Sequence, residues 1–377
     1  MSQIKIPLSK PEILAEDLQA VQQVLLSGTL AMGPAIAHFE EAMTHQCQVP
    51  QALAVNNGTS ALHLAVQLAG INKNDEVIVS PFSFIASSNV VLYQQAKPIF
   101  VDIEEDTLGM NPDLIESAIS TKTKAILPTH VFGQSCKIDR IASIAKNFNL
   151  QLIEDNCESI GATIEVEGVK KMTGQFGDFA TYGFYPNKLI TTGEGGMLTI
   201  KNAHLLSKAQ ALRNQGRTSM SGFHLQHDHL GYNYRMSDMQ AALGYSQLSR
   251  LNMTIQKRTQ IASWYQTYFE GFSEIRLPSN PVGFKPAWFV FYIRVDEEKR
   301  DHVIKCLYDQ GIQSRAYFYP PIHLQPFYQN EFGFKKGDYP VAEKVSSEII
   351  ALPFYNQLTK EDVEKVSSEV IKAVRSF

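Results

Sequence analysis

Hydrophobic and polar positions follow two different periods along the first part of the chain. Between about residues 53 and 201, short runs of β-branched residues alternate with segments whose apolar residues recur at helical spacing, one running from Gly58 to Gly70 and another from Ile138 to Phe148. This alternation predicts βαβ units, and hence an α/β fold with a largely parallel sheet and helices on both faces. Ligands of such sheets bind beyond the carboxyl ends of the strands. The strands are predicted at Glu76 to Ser80, Pro98 to Asp102, Lys124 to Pro128 and Gln151 to Glu154.

The pattern changes after about residue 237. A chain of 377 residues exceeds the size at which single hydrophobic cores stop growing, so we expect two domains. A long helical pattern from Ser237 to Phe272 is predicted to bridge them. We predict a large domain over residues 1–250 and a smaller α+β domain over residues 251–377, with the N-terminal segment in contact with the smaller one. The elements predicted in the smaller domain are a strand at Phe289 to Val295, a helix at Asp301 to Gln310, a strand at Ile312 to Tyr317 and a helix at Lys360 to Ser376.

Composition narrows the class of protein. Hydrophobic residues make up 44% and charged residues 19%, which is ordinary for a soluble globular protein, and the formal net charge of -4 gives no attraction to nucleic acid or anionic membranes. The start of the chain lacks the apolar core of a signal peptide, and no apolar run approaches the length of a membrane span, so we expect a cytoplasmic location. The cysteines form no CxxC pair, and we interpret them as reduced, structural thiols: Cys47, Cys136, Cys157 and Cys306.

One lysine stands in an unusual setting. Lys188 follows an apolar, aromatic run that contains Phe184 and Tyr185, and it precedes the glycine-rich turn Gly193 to Gly196. A lysine that is buried and approachable is a candidate covalent nucleophile, because desolvation favours the reactive free amine. The alternative is a lysine at a strand end with its head in water.

A second candidate is the start of the first predicted helix. Asn57-Gly58-Thr59-Ser60 supplies a glycine, two hydroxyls and backbone N–H groups at the positive end of a helix, which are the ingredients of a phosphate-binding site. The alternative is an ordinary helix cap. Neither a Walker A loop nor a GxGxxG motif is present.

Two adjacent carboxylates end the strand predicted at Gln151 to Glu154. The side chains of Glu154 and Asp155 point to opposite faces of the sheet, so one of them faces the ligand crevice. A carboxylate there can hold a proton on a heteroaromatic nitrogen, as in pyridoxal phosphate enzymes. Pairing with a nearby basic side chain is the alternative.

Along the chain these features come in the order helix start, strand-end carboxylate and lysine, with Phe84 between the helix start and the carboxylate. This order resembles the fold type I pyridoxal phosphate enzymes, and more narrowly the DegT/DnrJ-type sugar aminotransferase family. The resemblance implies the fold of a PLP-dependent transferase: a mainly parallel sheet sandwiched by helices in a large domain, plus a smaller α+β C-terminal domain. The matching segments are Ser27-Gly28-Thr29, Met32-Gly33-Pro34, Asn56 to Ser60, Glu154 to Ala162, Tyr185 to Met197, Gly231 to Met236 and Pro320 to His323.

The resemblance implies a role for each residue around the cofactor, pyridoxal 5'-phosphate, which alternates with pyridoxamine 5'-phosphate. Lys188 would form a Schiff base with it and shuttle a proton, Asp155 would pair with the pyridinium nitrogen, and Phe84 would stack on the ring. The phosphate would be held by Gly58, Thr59 and Ser60, together with Asn233 of the partner subunit. The last assignment implies a homodimer with shared active sites.

This chain departs from the family pattern at two cofactor positions. Gly183 stands five residues before Lys188, where many members have a phosphate-binding serine, so that contact is missing or replaced by water or a neighbouring hydroxyl such as that of Thr181. Glu158 stands where the family commonly has Gln or His near the phenolic oxygen. An ionised Glu158 would repel a phenolate, so we expect that it shares a proton or turns away.

The activity that the resemblance implies is transfer of an amino group from an amino acid, with glutamate as the expected donor, to a keto group of a nucleotide-linked sugar in amino sugar and polysaccharide or antigen biosynthesis. Alternatives on the same scaffold are an aminocyclitol aminotransferase, a sugar dehydratase and a non-catalytic regulator. Lys188 favours amine transfer, because the dehydratase branch has His at that position.

Further candidates rest on residue type alone. His323 follows two prolines and is a candidate for substrate binding at the mouth of the site, with a packed loop histidine as the alternative. Arg213, Arg217 or Arg315 could bind the donor carboxylate or a nucleotide diphosphate, because Arg offers a bidentate fork. A histidine-rich segment has the density of a metal site, but a loop explains it and no metal is expected: His224, His227 and His229.

Overall fold

The protein is described by a computed structural model that covers residues 4–221 and 224–377. Residues 1–3, which belong to the N-terminal start considered above, lie outside the described residues. The strands are β1 (Gln51–Val55), β2 (Glu76–Val79), β3 (Lys97–Phe100), β4 (Thr123–Leu127), β5 (Gln151–Asp155), β6 (Thr163–Val166), β7 (Val169–Met172), β8 (Phe179–Gly183), β9 (Gly196–Ile200), β10 (Arg217–Ser221), β11 (His224–His227), β12 (Phe284–Lys285), β13 (Phe291–Arg294) and β14 (Ile349–Leu352).

Helices surround and connect these strands. They are α1 (Ala15–Ser27), α2 (Pro34–Cys47), α3 (Gly58–Leu68), α4 (Ala86–Tyr93), α5 (Ile115–Ala118), α6 (Ile138–Asn147), α7 (Leu206–Arg213), α8 (Asp238–Leu248), α9 (Leu251–Phe269), α10 (Glu297–Asp309), α11 (Pro326–Phe332), α12 (Pro340–Glu348) and α13 (Lys360–Arg375). Short 3-10 turns lie at Pro112–Leu114, Val131–Gly133, Ala203–Leu205 and Ile322–Leu324.

The central sheet has the strand order β1-β9-β8-β5-β4-β2-β3. Strand β9 runs antiparallel to both of its neighbours, and the other six strands are parallel to one another. The carboxyl ends of the parallel strands therefore meet at one edge of the sheet, where the chain leaves each strand in a loop.

Both faces of the sheet are buried, and successive side chains of a strand pack alternately into the cores on the two faces. In β2, Val77 and Val79 pack in the core that includes Leu62 of α3, whereas Ile78 between them packs in the core that includes Ile141 of α6. Successive side chains of a strand point to opposite faces, so an almost continuous apolar run is what a sheet covered on both sides requires. The predicted α/β fold with helices on both faces is confirmed.

Two predicted elements differ from the structure. The long helical pattern forms two helices, α8 and α9, because the chain turns at Ser249 and Arg250. The strand predicted at Ile312 to Tyr317 is wrong: this segment makes only isolated bridges, from Ile312 to Ile6 and from Arg315 to Ala351. The strand that pairs with β13 is β14, which the sequence pattern did not predict.

The C-terminal region has a core of its own, built on β13, β14 and the helices α9, α10 and α13. The N-terminal segment joins it, since Ile6 packs in that core and Lys5 N donates to the carbonyl of Gly311 at 2.8 Å. The segment that contains Ile322 and Tyr328 instead packs against α3 and α4 beside the central sheet. The C-terminal region therefore also covers part of the region that carries this sheet, and the division into two domains at 250/251 stays a prediction.

Two global properties concern the described part of the chain. Within residues 4–221 and 224–377, no helix is both long enough and apolar enough to cross a membrane. All four cysteines are free thiols, of which Cys47 and Cys136 are buried.

Candidate active site

A cavity of about 660 Å³ opens at the carboxyl ends of the parallel strands. Loops that follow β1, β2, β4, β5 and β8 form one side of it, and residues 315–320 of the C-terminal region form the other, together with Phe289. The site thus lies where the sheet topology predicts a ligand.

Lys188 lies inside this cavity, on the loop between β8 and β9. The loop is closed at its base, because Phe184 N donates to the carbonyl of Gly195 at 2.9 Å. Lys188 Nζ donates to Oε1 of Glu158 at 3.2 Å and lies 4.0 Å from the centroid of the Phe289 ring. With its side chain only 16% exposed, Lys188 does not extend into solvent as the alternative interpretation required.

The two carboxylates at the end of β5 point in opposite directions, as the strand period predicts. Asp155 lines the cavity and is buried; its Oδ2 accepts a hydrogen bond of 2.6 Å from Ser87 Oγ, and its Oδ1 accepts one of 3.2 Å from Cys157 N. Glu154 points away from the cavity and accepts hydrogen bonds from the backbone N–H groups of residues 174, 176 and 177 and from the ring of His130. Asp155 is therefore the carboxylate that faces the crevice.

The start of α3 forms another wall of the cavity. Asn57 caps the helix, with its Oδ1 accepting from Ser60 N at 2.8 Å, so the helix-cap interpretation holds for this contact. The first N–H groups of a helix have no partner within the helix, and Gly58 and Thr59 both line the cavity. A Cβ at Gly58 would lie 3.0 Å from Cys157 Sγ and 3.3 Å from the Cα of Gly183, so only glycine fits here without displacing its neighbours.

An exposed aromatic side chain projects over the same cavity. Phe84 follows β2 and is 64% exposed, although it lines the cavity. An apolar ring of this size is normally buried, so its position is suited to covering a flat ligand.

The two departures from the family pattern are both at the cavity surface. Gly183 faces Cys157, and Thr181 does not line the cavity; its buried hydroxyl lies 3.9 Å from Cys157 Sγ. Glu158 turns toward Lys188, and its second oxygen, Oε2, accepts from Phe132 N at 2.9 Å.

Of the candidates for substrate binding, Arg315 lines the cavity, on the wall opposite Asp155. Arg213 lies elsewhere, where it donates to Glu40 Oε1 at 2.6 Å and to the carbonyl of Ala54 at 2.8 Å. His323 is fully buried and pairs with Glu343 Oε1 at 2.9 Å, and burial lowers its pKa. Its position matches the alternative of a packed loop histidine.

Other predicted positions lie outside the cavity. Asn233 is exposed and bridges to Asn214, and it does not line the cavity of its own chain. Arg217 and His227 lie on the hairpin formed by β10 and β11. Over the described ranges, no group of three or more His, Cys, Asp or Glu side chains is placed to hold a metal ion.

Several residues of the site were not found by sequence reasoning. Ser87, which holds Asp155, carries no motif, and Phe289 and Tyr317 come from the C-terminal region, more than 100 positions away from Asp155. Burial raises the pKa of Tyr317 to about 12, so its hydroxyl keeps its proton at neutral pH. Asn187 Oδ1 is buried at the cavity and has no hydrogen-bond partner among the described residues.

These features fit pyridoxal 5'-phosphate. The cavity has an amine at Lys188, a buried carboxylate at Asp155 and a helix N-terminus at Gly58, where a Cβ would crowd the neighbouring backbone. The three groups match the aldehyde, the ring nitrogen and the phosphate of the cofactor. The buried oxygen of Asn187 is a further polar group that a ligand can satisfy.

Comparison with known proteins agrees with this chemistry. The family model for the DegT/DnrJ/EryC1/StrS aminotransferase family matches residues 11–371. The spore coat polysaccharide biosynthesis protein SpsC of Bacillus subtilis is 36% identical, over 99% of this chain and 97% of its own length. GDP-perosamine synthase of Caulobacter vibrioides is 37% identical, over 89% of each chain.

The fold is also similar to that of solved structures. The Streptococcus pneumoniae protein Spr1654, solved in its PLP form, superimposes with a TM-score of 0.92 at 28% identity, covering 98% of this chain and 99% of its own.

Proposed function

The chain belongs to the DegT/DnrJ/EryC1/StrS aminotransferase family, and on this premise we propose that it moves an amino group from an amino acid to a keto group of a nucleotide-linked sugar. The observation that supports the proposal most is the convergence of Lys188, Asp155 and Gly58 on one cavity. The name of the Caulobacter vibrioides relative, GDP-perosamine synthase, supports a nucleotide-linked sugar as the acceptor. Glutamate is the expected amino donor.

The cofactor is pyridoxal 5'-phosphate, which supplies an aldehyde that takes up the amino group and a conjugated ring that stabilises negative charge on the adjacent carbon. Lys188 would hold it covalently, Asp155 would keep a proton on its ring nitrogen, and the helix start at Gly58 and Thr59 would bind its phosphate. Phe84 would cover the ring. Ser87 donates to Oδ2 of Asp155 and would orient this carboxylate.

The Lys188 amine has the position needed to move a proton. It lies within the cavity, and its side chain is mostly removed from water. A free amine there can take a proton from the substrate carbon and return it elsewhere, which is general acid–base catalysis by a lysine. The rings of Phe289 and Phe318 line the same cavity and reduce the access of water.

Arg315 is the residue that we propose for the donor carboxylate. It is the one arginine of the three candidates that lines the cavity, and its guanidinium offers a bidentate fork to a carboxylate. Arg213 is unsuited, because its guanidinium already binds Glu40 and a backbone carbonyl.

We further propose that two copies of the chain assemble with shared active sites. A second cavity of about 810 Å³ adjoins the first at Asn57, Thr59 and Glu194 and leaves the phosphate end open on one side. Asn233 of the partner subunit would close this end.

The function is tested with purified protein, pyridoxal 5'-phosphate, glutamate and a panel of GDP- and UDP-linked keto sugars. We expect formation of 2-oxoglutarate in equal amount to an amino sugar nucleotide, and loss of both products in Lys188→Ala. Turnover by Lys188→Ala, or absence of any amino sugar with the whole panel, would refute the proposal.

A further inference from the structure

Two side chains from distant parts of the chain meet at the Lys188 amine. Oε1 of Glu158 lies 3.2 Å from Nζ, and the centroid of the Phe289 ring lies 4.0 Å from Nζ. A carboxylate and the face of an aromatic ring both attract a positive charge. We call Glu158 and Phe289 together the lysine seat.

One residue, Phe132, holds both parts of the lysine seat. Its N–H donates to Oε2 of Glu158 at 2.9 Å, and its carbonyl accepts from Phe289 N at 3.1 Å. Phe132 has a φ of 57°, which is uncommon for a residue other than glycine. Backbone strain of this kind is concentrated at functional sites, where the surrounding structure maintains it.

The backbone next to Phe132 is packed closely against the segment that carries Phe289. Ala287 N donates to the carbonyl of Gly133 at 2.7 Å. A Cβ at Gly133 would lie 2.5 Å from Phe289 N and 2.7 Å from Trp288 N, so this approach requires glycine. The distance between Phe132 and Phe289 is thus set by main-chain contacts.

A buried arginine fixes Phe289 from its other side. Arg258 is 4% exposed, and its Nη1 donates to the carbonyl of Trp288 at 3.1 Å and to the carbonyl of Phe289 at 2.9 Å. These bonds pair one nitrogen of a buried guanidinium and at the same time hold the backbone of residues 288 and 289. Phe289 is therefore restrained on both sides, and its ring has little freedom to leave Lys188.

We propose that the lysine seat receives the Lys188 amine whenever that amine is not joined to the cofactor. The inference rests on the proposed function, in which Lys188 alternates between holding the cofactor and moving a proton. A long, flexible side chain would otherwise lose its position each time it is released. Phe289 is then a positioning residue that acts on Lys188 and does not need to touch the substrate.

The seat is tested on the full-length protein freed of cofactor, with trace acetic anhydride as the amine reagent. Mass spectrometry gives the rate at which Lys188 is acetylated relative to the exposed Lys170 of the same molecules. We expect Phe289→Leu and Glu158→Gln each to raise this relative rate about two- to fivefold, because each removes a contact that covers the amine and holds it in place. Phe289→Tyr, which keeps the ring, should match the wild type.

The matched control is Phe84→Leu, which removes an aromatic ring from the same cavity without touching the seat and should leave the rate unchanged. If thermal unfolding shows that Phe289→Leu does not fold, Phe289→Met removes the ring at similar volume. A folded variant without the ring that labels at the wild-type rate overturns the seat. The assay uses neither substrate nor cofactor, so a failure of the sugar assay would refute the proposed function and leave this result interpretable.

Discussion

The hydroxyl of Ser87 donates a 2.6 Å hydrogen bond to Oδ2 of Asp155, between the first turn of α4 and the end of β5. Both residues are buried, and Ser83 Oγ lies 2.9 Å from Ser87 Oγ, so the serine itself is held in place. The carboxylate that we propose for the cofactor ring nitrogen is thus oriented by a residue that has no motif of its own.

Replacing Ser87 by Ala should weaken cofactor binding without abolishing it. A hydrogen bond to a charged group contributes about 1.5–3 kcal/mol, which corresponds to a dissociation constant raised about 10- to 100-fold. Titration of cofactor-free protein with pyridoxal 5'-phosphate, followed by absorbance, measures this. Asp155→Ala should raise the dissociation constant further. An unchanged dissociation constant in Ser87→Ala would show that the bond does not orient the carboxylate.

Gly58→Ala should reduce cofactor affinity, because the added Cβ would lie 3.0 Å from Cys157 Sγ and 3.3 Å from the backbone of Gly183. Overpacking of this kind costs about 1–3 kcal/mol. Gly183→Ala is the matched control, since its Cβ would meet neighbours no closer than 3.5 Å. Isothermal titration with the cofactor should separate the two variants, and equal affinities would contradict the proposed phosphate site at Gly58.

Arg315→Ala should lower kcat/KM for the amino donor by about 10- to 100-fold, the equivalent of losing charge-assisted hydrogen bonds of about 1.5–3 kcal/mol. Initial rates at varied glutamate concentration measure this, with KM for the sugar as the internal comparison. Arg213→Ala should reduce thermal stability through loss of its contacts to Glu40 and Ala54 but keep the donor KM. An unchanged kcat/KM for the donor in Arg315→Ala, with a raised donor KM in Arg213→Ala, would show that Arg315 does not bind the donor carboxylate.

His63 should make the protein sensitive to acid. It is 5% exposed, and burial lowers its pKa from 6.5 to about 4. As the pH falls below 6.5 the unfolded chain binds a proton that the folded chain does not, so the contribution of this group is intact above 6.5 and is lost between about 6.5 and 4. The loss over this interval should be on the order of 3 kcal/mol.

Urea unfolding of the wild type and His63→Gln tests this at pH 7.5, which lies above the interval given by the two pKa values, and at pH 5.5 and 4.5, which lie within it. The variant should lose less stability than the wild type as the pH falls. Parallel losses in both proteins would show that other groups cause the acid sensitivity.

Asp102→Ala should destabilise the contact between the C-terminal region and the edge of the central sheet. Asp102 lies beyond the end of β3, yet its carboxylate accepts 2.9 Å hydrogen bonds from Val341 N and Ala342 N at the start of α12. Loss of a cap of this kind costs about 0.5–2 kcal/mol. Thermal unfolding should show a lower midpoint for Asp102→Ala, and an unchanged midpoint would mean that α12 does not depend on this cap.

Much of the fold followed from the sequence pattern because the signals are local. Strands β2 to β5 lie within two residues of their predicted bounds, since an apolar run between turns has few other stable conformations. The failure at Ile312 to Tyr317 has a physical reason: a strand needs a continuous ladder of hydrogen bonds to a partner, and this segment reaches β14 only through the single bridge from Arg315 to Ala351.

By itself, the sequence determined the α/β architecture, the family and the three groups that suit the cofactor, because periodicity, a helix start and a strand end are properties of neighbouring residues. Only the tertiary structure decided that Lys188 meets Glu158 and Phe289, that Arg315 and not Arg213 faces the cavity, and that His323 is buried beside Glu343. These relationships join segments from both parts of the molecule. They depend on how the C-terminal region packs across the sheet edge, and no local pattern encodes that packing.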